Sequence, residues 1–409
     1  FDRLINSYGY GGLFRNDMAW FQGDAVRKNP NLKPETTISK EIGAEVRLLD
    51  GRLTADVNYY DQYTRDQIVE SELSYLSNYQ RVIINSGKIS NKGWEISVSG
   101  VPVKVKNFEW KTIFNWSKNN SMVESLPEGI DKIQIGSGVY NVKSYAEVGK
   151  PYGAIYAKTF KRDAEGYILC QLDGSPKEGQ DYEYLGCVQA DWRGGWNNVF
   201  RLGNFSFSVM FDFQKGGKIF SQTSIQSSAD GQSVKSLEGR DADFFSRKIL
   251  GESDEERYGF MRPQNANTPT ANGQIYPDWG RPKGVVLPNC RYDEDVEGLA
   301  GQQVLGYCTP ERYWMHYTSR DISRFIYDAS YVKLREITVS YDLPKKWLRK
   351  TPFQTFRVAA VGRNIATLFA NTPHGLDPQA TSTTGNAQGF ERGFNLPSAT
   401  YGFDIKVSF

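Results

Sequence analysis

Stretches of about ten residues in which apolar and polar side chains alternate constrain this chain more than any other feature, because that is the length a tilted strand needs to cross a membrane. From Phe205 to Gln214, the residues Phe205, Phe207, Val209, Phe211 and Phe213 fall on one side. Ser206, Ser208, Asp212 and Gln214 fall on the other, with Met210 as the exception. Successive side chains of a strand point to opposite faces, so such a segment is a strand with one greasy and one wet side. Tyr401, Phe403, Ile405, Val407 and Phe409 alternate in the same way with Gly402, Asp404, Lys406 and Ser408. Leu53–Tyr59, Phe108–Ser117, Ile42–Leu48 and Trp94–Ser99 repeat the pattern. Between Ser330 and Leu343 the apolar set changes side, from Val332 and Leu334 to Ile337, Val339 and Tyr341, which predicts a bulge or a strand end standing clear of lipid.

Nine crossings are predicted, at 38–49, 52–68, 89–103, 107–118, 190–201, 204–215, 330–343, 354–366 and 398–409. The joins between them alternate in length. Asp50-Gly51, Lys104-Val105-Lys106 and Leu202-Gly203 are tight turns and Pro344 to Phe353 is a modest one. The others, near 69–88, 119–189, 216–329 and 367–397, are long. Short turns at one end and long loops at the other describe an outer-membrane barrel with its turns in the periplasm. Barrels of one bacterial chain close with an even number of strands. The expectation is therefore an all-β fold, an antiparallel transmembrane β-barrel, of which residues 1–409 are the C-terminal portion and an N-terminal part supplies the rest.

Composition fits this reading. Only 39% of residues are hydrophobic and mean hydropathy is −0.54, yet aromatics reach 14%, with 24 Tyr, 23 Phe and 9 Trp. A barrel combines a wet lumen and wet loops with aromatic girdles at both lipid interfaces, as Tyr59, Tyr60, Tyr63, Trp110 and Trp116 are expected to form here. No run of apolar residues is long enough for a spanning helix. A net charge of +2, without a basic tract, argues against nucleic acid as a partner.

Particular strings then become recognisable. Asn29-Pro30-Asn31-Leu32-Lys33-Pro34-Glu35-Thr36 with Glu41-Ile42-Gly43 resembles the mid-barrel signature of TonB-dependent receptors. Gly87-Lys88-Ile89-Ser90-Asn91-Lys92-Gly93-Trp94-Glu95 resembles a hairpin of the SusC-type (SusC/RagA) subfamily. Ser330 to Ile337, ending in Tyr341-Asp342-Leu343-Pro344, is similar to that subfamily's late-barrel motif, and Gly362-Arg363-Asn364-Ile365 and Tyr401-Gly402-Phe403 to its closing strands. The resemblance implies a barrel of about 22 strands around an N-terminal plug. It implies import of an oligosaccharide or oligopeptide across the outer membrane, energised by TonB through the plug, with a SusD-type surface lipoprotein as lid and no chemical step. The chain departs from the family pattern around Asp163 to Asp191, where a Cys-bounded loop replaces an Asp/Asn/Gly-rich segment. A siderophore receptor and a soluble extracellular glycan-binding β-protein are the alternatives. A barrel hydrolase lacks a Ser/His/Asp arrangement, since neither His316 nor His374 has suitable neighbours.

Site expectations follow. Asp56, Asn58, Glu95, Lys111, Asn115, Asp212 and Gln214 are expected to face the lumen. Tyr276, Trp279, Tyr307, Tyr313 and Trp314, in the longest loop, are candidate platforms for a ligand or elements of loop packing. Cys170, Cys187, Cys290 and Cys308 all lie in predicted external loops, where disulfides are favoured over zinc because no C-x-x-C pair is present. The pairings expected are Cys170–Cys187 and Cys290–Cys308, each closing a short loop worth about 3 kcal/mol. The acidic runs Asp254-Glu255-Glu256 and Asp293-Glu294-Asp295 read as solvated loop charge rather than a calcium site. No metal and no cofactor is expected. Phe409, a terminal aromatic closing an alternating strand, resembles the barrel-assembly signal.

Overall fold

The structure, a computed structural model, describes residues 8–9, 22–23, 25–73, 79–172, 174–237, 285–308, 313–381, 388–393 and 398–409. Nine long strands form one antiparallel sheet: β1 (Thr36–Leu48), β2 (Leu53–Glu72), β3 (Arg81–Val105), β4 (Phe108–Ser125), β5 (Trp192–Leu202), β6 (Phe205–Lys215), β7 (Tyr331–Asp342), β8 (Thr355–Ala370) and β9 (Thr400–Ser408). Every neighbour in the sheet is also the neighbour in sequence, so the wall is a simple meander. Val26–Arg27 adds a short parallel strand beside the start of β3.

The turns are short at one end because their residues tolerate tight geometry. Leu49, Asp50 and Gly51 all take positive φ between β1 and β2, and Gly203 does so between β5 and β6. Between β7 and β8 a helical turn, Lys345–Leu348, fills the join. At the other end β2 and β3 are longer than the alternation indicated, 20 and 25 residues. Much of the stretch expected as a loop at 69–88 is a continuation of this hairpin, paired up to Glu72↔Arg81.

The side change expected near residue 335 is a β-bulge. Met210 pairs with Glu336 and Phe211 with Leu334, which leaves Arg335 as the extra residue of β7. The ladder to β8 is interrupted at the same level, where Asn364 takes a positive φ.

The outward-alternating residues touch mainly one another, as the stacked rings of Trp110, Phe200 and Phe207 do, and many of them stay exposed. Across the sheet Trp110, Phe200, Phe207, Val339, Ala360 and Phe403 stand directly opposite one another in turn, and Phe403 is 86% exposed. In water such a band would be costly; in hydrocarbon it is the side that lipid covers. Two buried apolar cores lie instead among the long connections, which fold into three small sheets, and a third core packs Ile133, Ile135 and Ala146 of one connection against Val69, Ile89 and Val123 of β2, β3 and β4. Lys132–Ser137, Lys143–Glu147, Ala154–Phe160 and Glu178–Cys187 form a four-stranded antiparallel sheet. Ile168–Cys170, Val285–Tyr292 and Gln303–Cys308 form the second; Lys218–Ser221, Ile326–Asp328 and Phe390–Glu391 form the third. The second sheet joins the β4–β5 connection to the β6–β7 connection, and the third joins the latter to the β8–β9 connection.

Candidate functional site

The polar side of the wall is organised in rows, because antiparallel register places side chains of like parity opposite each other. One row runs Asp56, Ser97, Asn115, Gly195, Asp212 and Lys333; the next runs Asn58, Glu95, Ser117, Arg193, Gln214 and Tyr331. Lys111 shares this side, opposite Val199. All seven polar residues singled out from the alternation therefore occupy one face of the sheet, opposite the aromatic band. A depression on that face is lined by Asp56, Asn58, Glu95, Asn115, Arg193 and Asp212 among others.

Near β7 the same face carries a dense hydrogen-bond network. The Arg335 guanidinium donates to Asp212, to Asn364 Oδ1 at 2.7 Å and to Gln379 Oε1 at 2.7 Å. Lys333 Nζ donates to both Asp377 oxygens at 2.6 Å and to Gln379 Oε1 at 2.9 Å, and the Lys333 and Asp377 side chains are both buried. Gln379 Nε2 donates to Tyr331 Oη at 2.6 Å. A buried ion pair is tolerated only when its remaining donors and acceptors are satisfied, and Gln379 does this for Lys333. The β8–β9 connection is thus folded back onto the wall. Lys333, Arg335, Asp377 and Gln379 escaped the sequence reading; the signal was present in the out-of-phase Arg335 and in a lysine on the wet side of its strand.

Tyr60 corrects an expectation. It lies on the polar side rather than in the girdle, and its hydroxyl hydrogen-bonds Asn119 Oδ1 at 3.0 Å. Its ring covers Gly93, where any Cβ would collide with it, so the glycine of the Lys92-Gly93-Trp94 string is required by this close approach. Tyr59 stays on the aromatic side, 4.9 Å from the Trp94 ring.

The loop aromatics divide. Tyr313 and Trp314 are fully buried, edge to face at 5.1 Å, within an apolar cluster that includes Phe160, Tyr292 and Tyr317. Rings enclosed on all sides cannot stack on a ligand, so these two hold the connections together. Tyr307 lies in a strand opposite Val286, and Tyr276 and Trp279 fall outside the described residues. Phe409 follows β9, exposed, with its ring edge against Phe353 at 5.3 Å.

Neither expected disulfide is present, and Cys170, Cys187 and Cys290 are not in disulfides. Cys290 pairs with Val304 whereas Cys308 pairs with Val285. Residues offset by four positions along adjacent strands lie roughly 13 Å apart, beyond the reach of a disulfide. Cys170 belongs to the second loop sheet, while Cys187 closes the four-stranded one, opposite Ala154. Proximity in sequence is not proximity once strands separate the pair.

The acidic run at 293–295 is engaged by lysines. Lys161 and Lys177 donate to the buried Asp293 carboxylate at 2.9 and 2.8 Å, and Lys177 also reaches Asp295. Burial alone would raise the Asp293 pKa, but the hydrogen bonds from Lys177 and Lys161 dominate and hold it at about 2. Arg291 lies 3.8 Å over the Tyr167 ring and bonds Asp163 at 2.9 Å. Among the described residues no group of His, Cys, Asp and Glu is placed to hold a metal ion. Asp254-Glu255-Glu256 lies outside the described residues.

A family model described as TonB dependent receptor-like, beta-barrel matches residues 4–365. The chain belongs to this family. Among curated relatives, TonB-dependent receptor P3 of Formosa agariphila is 25% identical over 395 residues, spanning 91% of this chain and 33% of that receptor. TonB-dependent receptor SusC of Bacteroides thetaiotaomicron is 29% identical over 104 residues, covering 25% of this chain and 10% of SusC. The chain spans about a third of the length of the first of these receptors. The structure of the RagAB peptide transporter superposes with a TM-score of 0.63 at 16% identity, over 99% of this chain and 38% of that chain, a likeness of fold alone. The chain is part of a TonB-dependent receptor-like β-barrel of the outer membrane. The family comprises receptors and transporters rather than enzymes.

Proposed function

We propose that this chain is the C-terminal part of the wall of a SusC-type importer, which carries an oligosaccharide or oligopeptide across the outer membrane. Its polar face, with Asp56, Asn58, Glu95, Lys111, Asn115, Asp212 and Gln214, lines the aqueous interior and meets the plug. A SusD-type lipoprotein covers the mouth, and TonB supplies energy through the plug. The observation that carries the reading is the attachment of the β8–β9 connection to the wet side of the wall through Lys333, Arg335, Asp377 and Gln379. A connection held there narrows the interior on the side of the long loops, where an importer must admit cargo and exclude bulk flow. The two open edges, β1 and β9, pair in this reading with strands from further sequence.

The test is to tag the intact protein in its native cell, purify it in detergent and identify what comes with it. A surface lipoprotein in stoichiometric amount, and growth on a glycan or peptide source that needs both this protein and TonB, are expected. Uptake that persists without TonB, or purification of the barrel without a lipoprotein, rejects the SusC-type reading.

A further inference from the structure

The four-stranded loop sheet has two unlike faces. Ile133, Ala146, Ile155 and Ala157 of one face are buried. Register places Tyr145, Tyr156, Tyr182 and Tyr184 together on the other, with lysines between them: Lys143 stands near Tyr156, and Lys158 opposite Tyr182. The ammonium groups lie over the rings. Lys143 is 4.6 Å from the Tyr182 centroid, Lys150 is 4.5 Å from Tyr184, and Lys132 is 5.4 and 5.3 Å from Tyr145 and Tyr156. Two carboxylates answer these cations: Glu147 pairs with Lys150 at 3.0 Å and Glu178 with Lys158 at 3.5 Å. Among the described residues no carboxylate pairs with Lys132 or Lys143, whose partners are rings alone. Tyr184 is 41% exposed.

We propose that this face binds an anionic oligosaccharide, one bearing carboxylate or sulfate groups, as the cargo first meets the protein. The proposal rests on the importer reading and narrows its substrate class. A ring quadrupole holds an ammonium in place without neutralising it, so Lys132 and Lys143 keep their N–H donors for a ligand. An acidic group on a sugar then gains charge-assisted hydrogen bonds, while the Tyr184 ring offers a flat surface to a sugar C–H face. An acidic peptide fits less well. Extended peptides gain affinity by adding main-chain hydrogen bonds at a sheet edge. On a sheet face those backbone groups are already paired, and the peptide's own amides would be desolvated without partners. A glycan carries no such obligatory set of donors.

The intact outer-membrane protein, purified with whatever accompanies it, is titrated with oligogalacturonate, a sulfated galactan oligosaccharide, the neutral galactan oligosaccharide and oligoglutamate. Both anionic glycans should bind roughly tenfold or more tightly than the neutral one, and their affinity should fall with salt. Lys132→Gln with Lys143→Gln, both on a solvated face, should cost the anionic glycans roughly tenfold and leave the neutral glycan unchanged. Tyr184→Ala should weaken the anionic glycans and retain their salt dependence. The proposal is overturned if oligoglutamate binds as tightly as the glycans, if lipid A competes with them equally, or if the double variant stays within about twofold of its parent. Energised uptake of a neutral glycan or peptide without anionic binding rejects this site and keeps the importer. Anionic binding that needs Lys132 and Lys143, without energised uptake, keeps the site and rejects the importer.

Discussion

At the scale of single residues, Asp293 shows how a buried charge makes a loop pH-sensitive. Its folded pKa, about 2, lies below the roughly 3.9 of a free aspartate. The sign follows from linkage: a lowered carboxylate contributes stability that is whole above the unfolded pKa and is lost as pH falls through the folded one. Between pH 8 and 5 the contact of Lys161 and Lys177 with Asp293 should therefore hold steady, and it should fail between about pH 4 and 2. Cys170 and Cys290, buried in the adjoining cluster, report the opening. Dithiodipyridine reacts with thiols in acid, so labelling of both, located by mass spectrometry, should rise within that window only. Asp293→Asn should open the segment already at neutral pH, at a cost of about 1–3 kcal/mol for the donors left without their charged acceptor. Labelling of the variant that is indistinguishable from its parent at pH 7 would count against this assignment.

At the scale of the element, β7 is read correctly only with its bulge. Tyr331 and Lys333 face the wet side before Arg335, and Glu336 and Thr338 face it after, because the extra residue corrects the parity. A one-residue change of register moves every side chain to the other face. Deleting Arg335 should therefore turn Lys333 toward lipid and abolish assembly of the heat-modifiable barrel on gels. Arg335→Ala keeps the backbone count, so it should assemble, with the β8–β9 connection loosened where Asn364 and Gln379 lose their donor. The contrast between deletion and substitution separates the register from the side chain. The nine wall strands were legible because lipid on one side and water on the other impose a local pattern of period two. The length of β2 and β3 was not, since above the membrane both faces are protein or water and the alternation loses its meaning. The loop sheets were not legible either. Ile168 pairs with Cys290 and Phe220 with Phe390, partners more than a hundred positions apart, and such pairing leaves no periodic mark on either segment. The same cause hid which role Tyr313 and Trp314 take, buried in a helical turn packed against the second loop sheet, and the separation of the cysteines, which lie in strands of two different sheets or at offset register.

At the scale of the whole molecule, the three long connections behave as one body fixed to a wall, and a single buried carboxylate tests this. Glu391, on the β8–β9 connection, accepts hydrogen bonds from Ser221 Oγ at 2.7 Å, Thr223 Oγ1 at 2.6 Å and Thr223 N at 3.2 Å, all on the β6–β7 connection. Of the strands it secures, Lys218–Ser221 is the middle one, paired with Phe390–Glu391 on one side and on the other with Ile326–Asp328, the segment that leads into β7. If the connections were independent flaps, removing this carboxylate would loosen only its own neighbours in sequence. If they are one body, Glu391→Ala should raise hydrogen exchange in Lys218–Ser221 and also in Ile326–Asp328, more than sixty positions away from Glu391 in the chain. The wall strands β4, β5 and β6 should keep their protection, because their ladders depend on one another and not on the loops. Loss of a buried acceptor with several donors is worth about 1–3 kcal/mol, which corresponds to a fivefold to hundredfold faster exchange if those amides open as a unit. An increase confined to residues 388–393 would mean separate flaps.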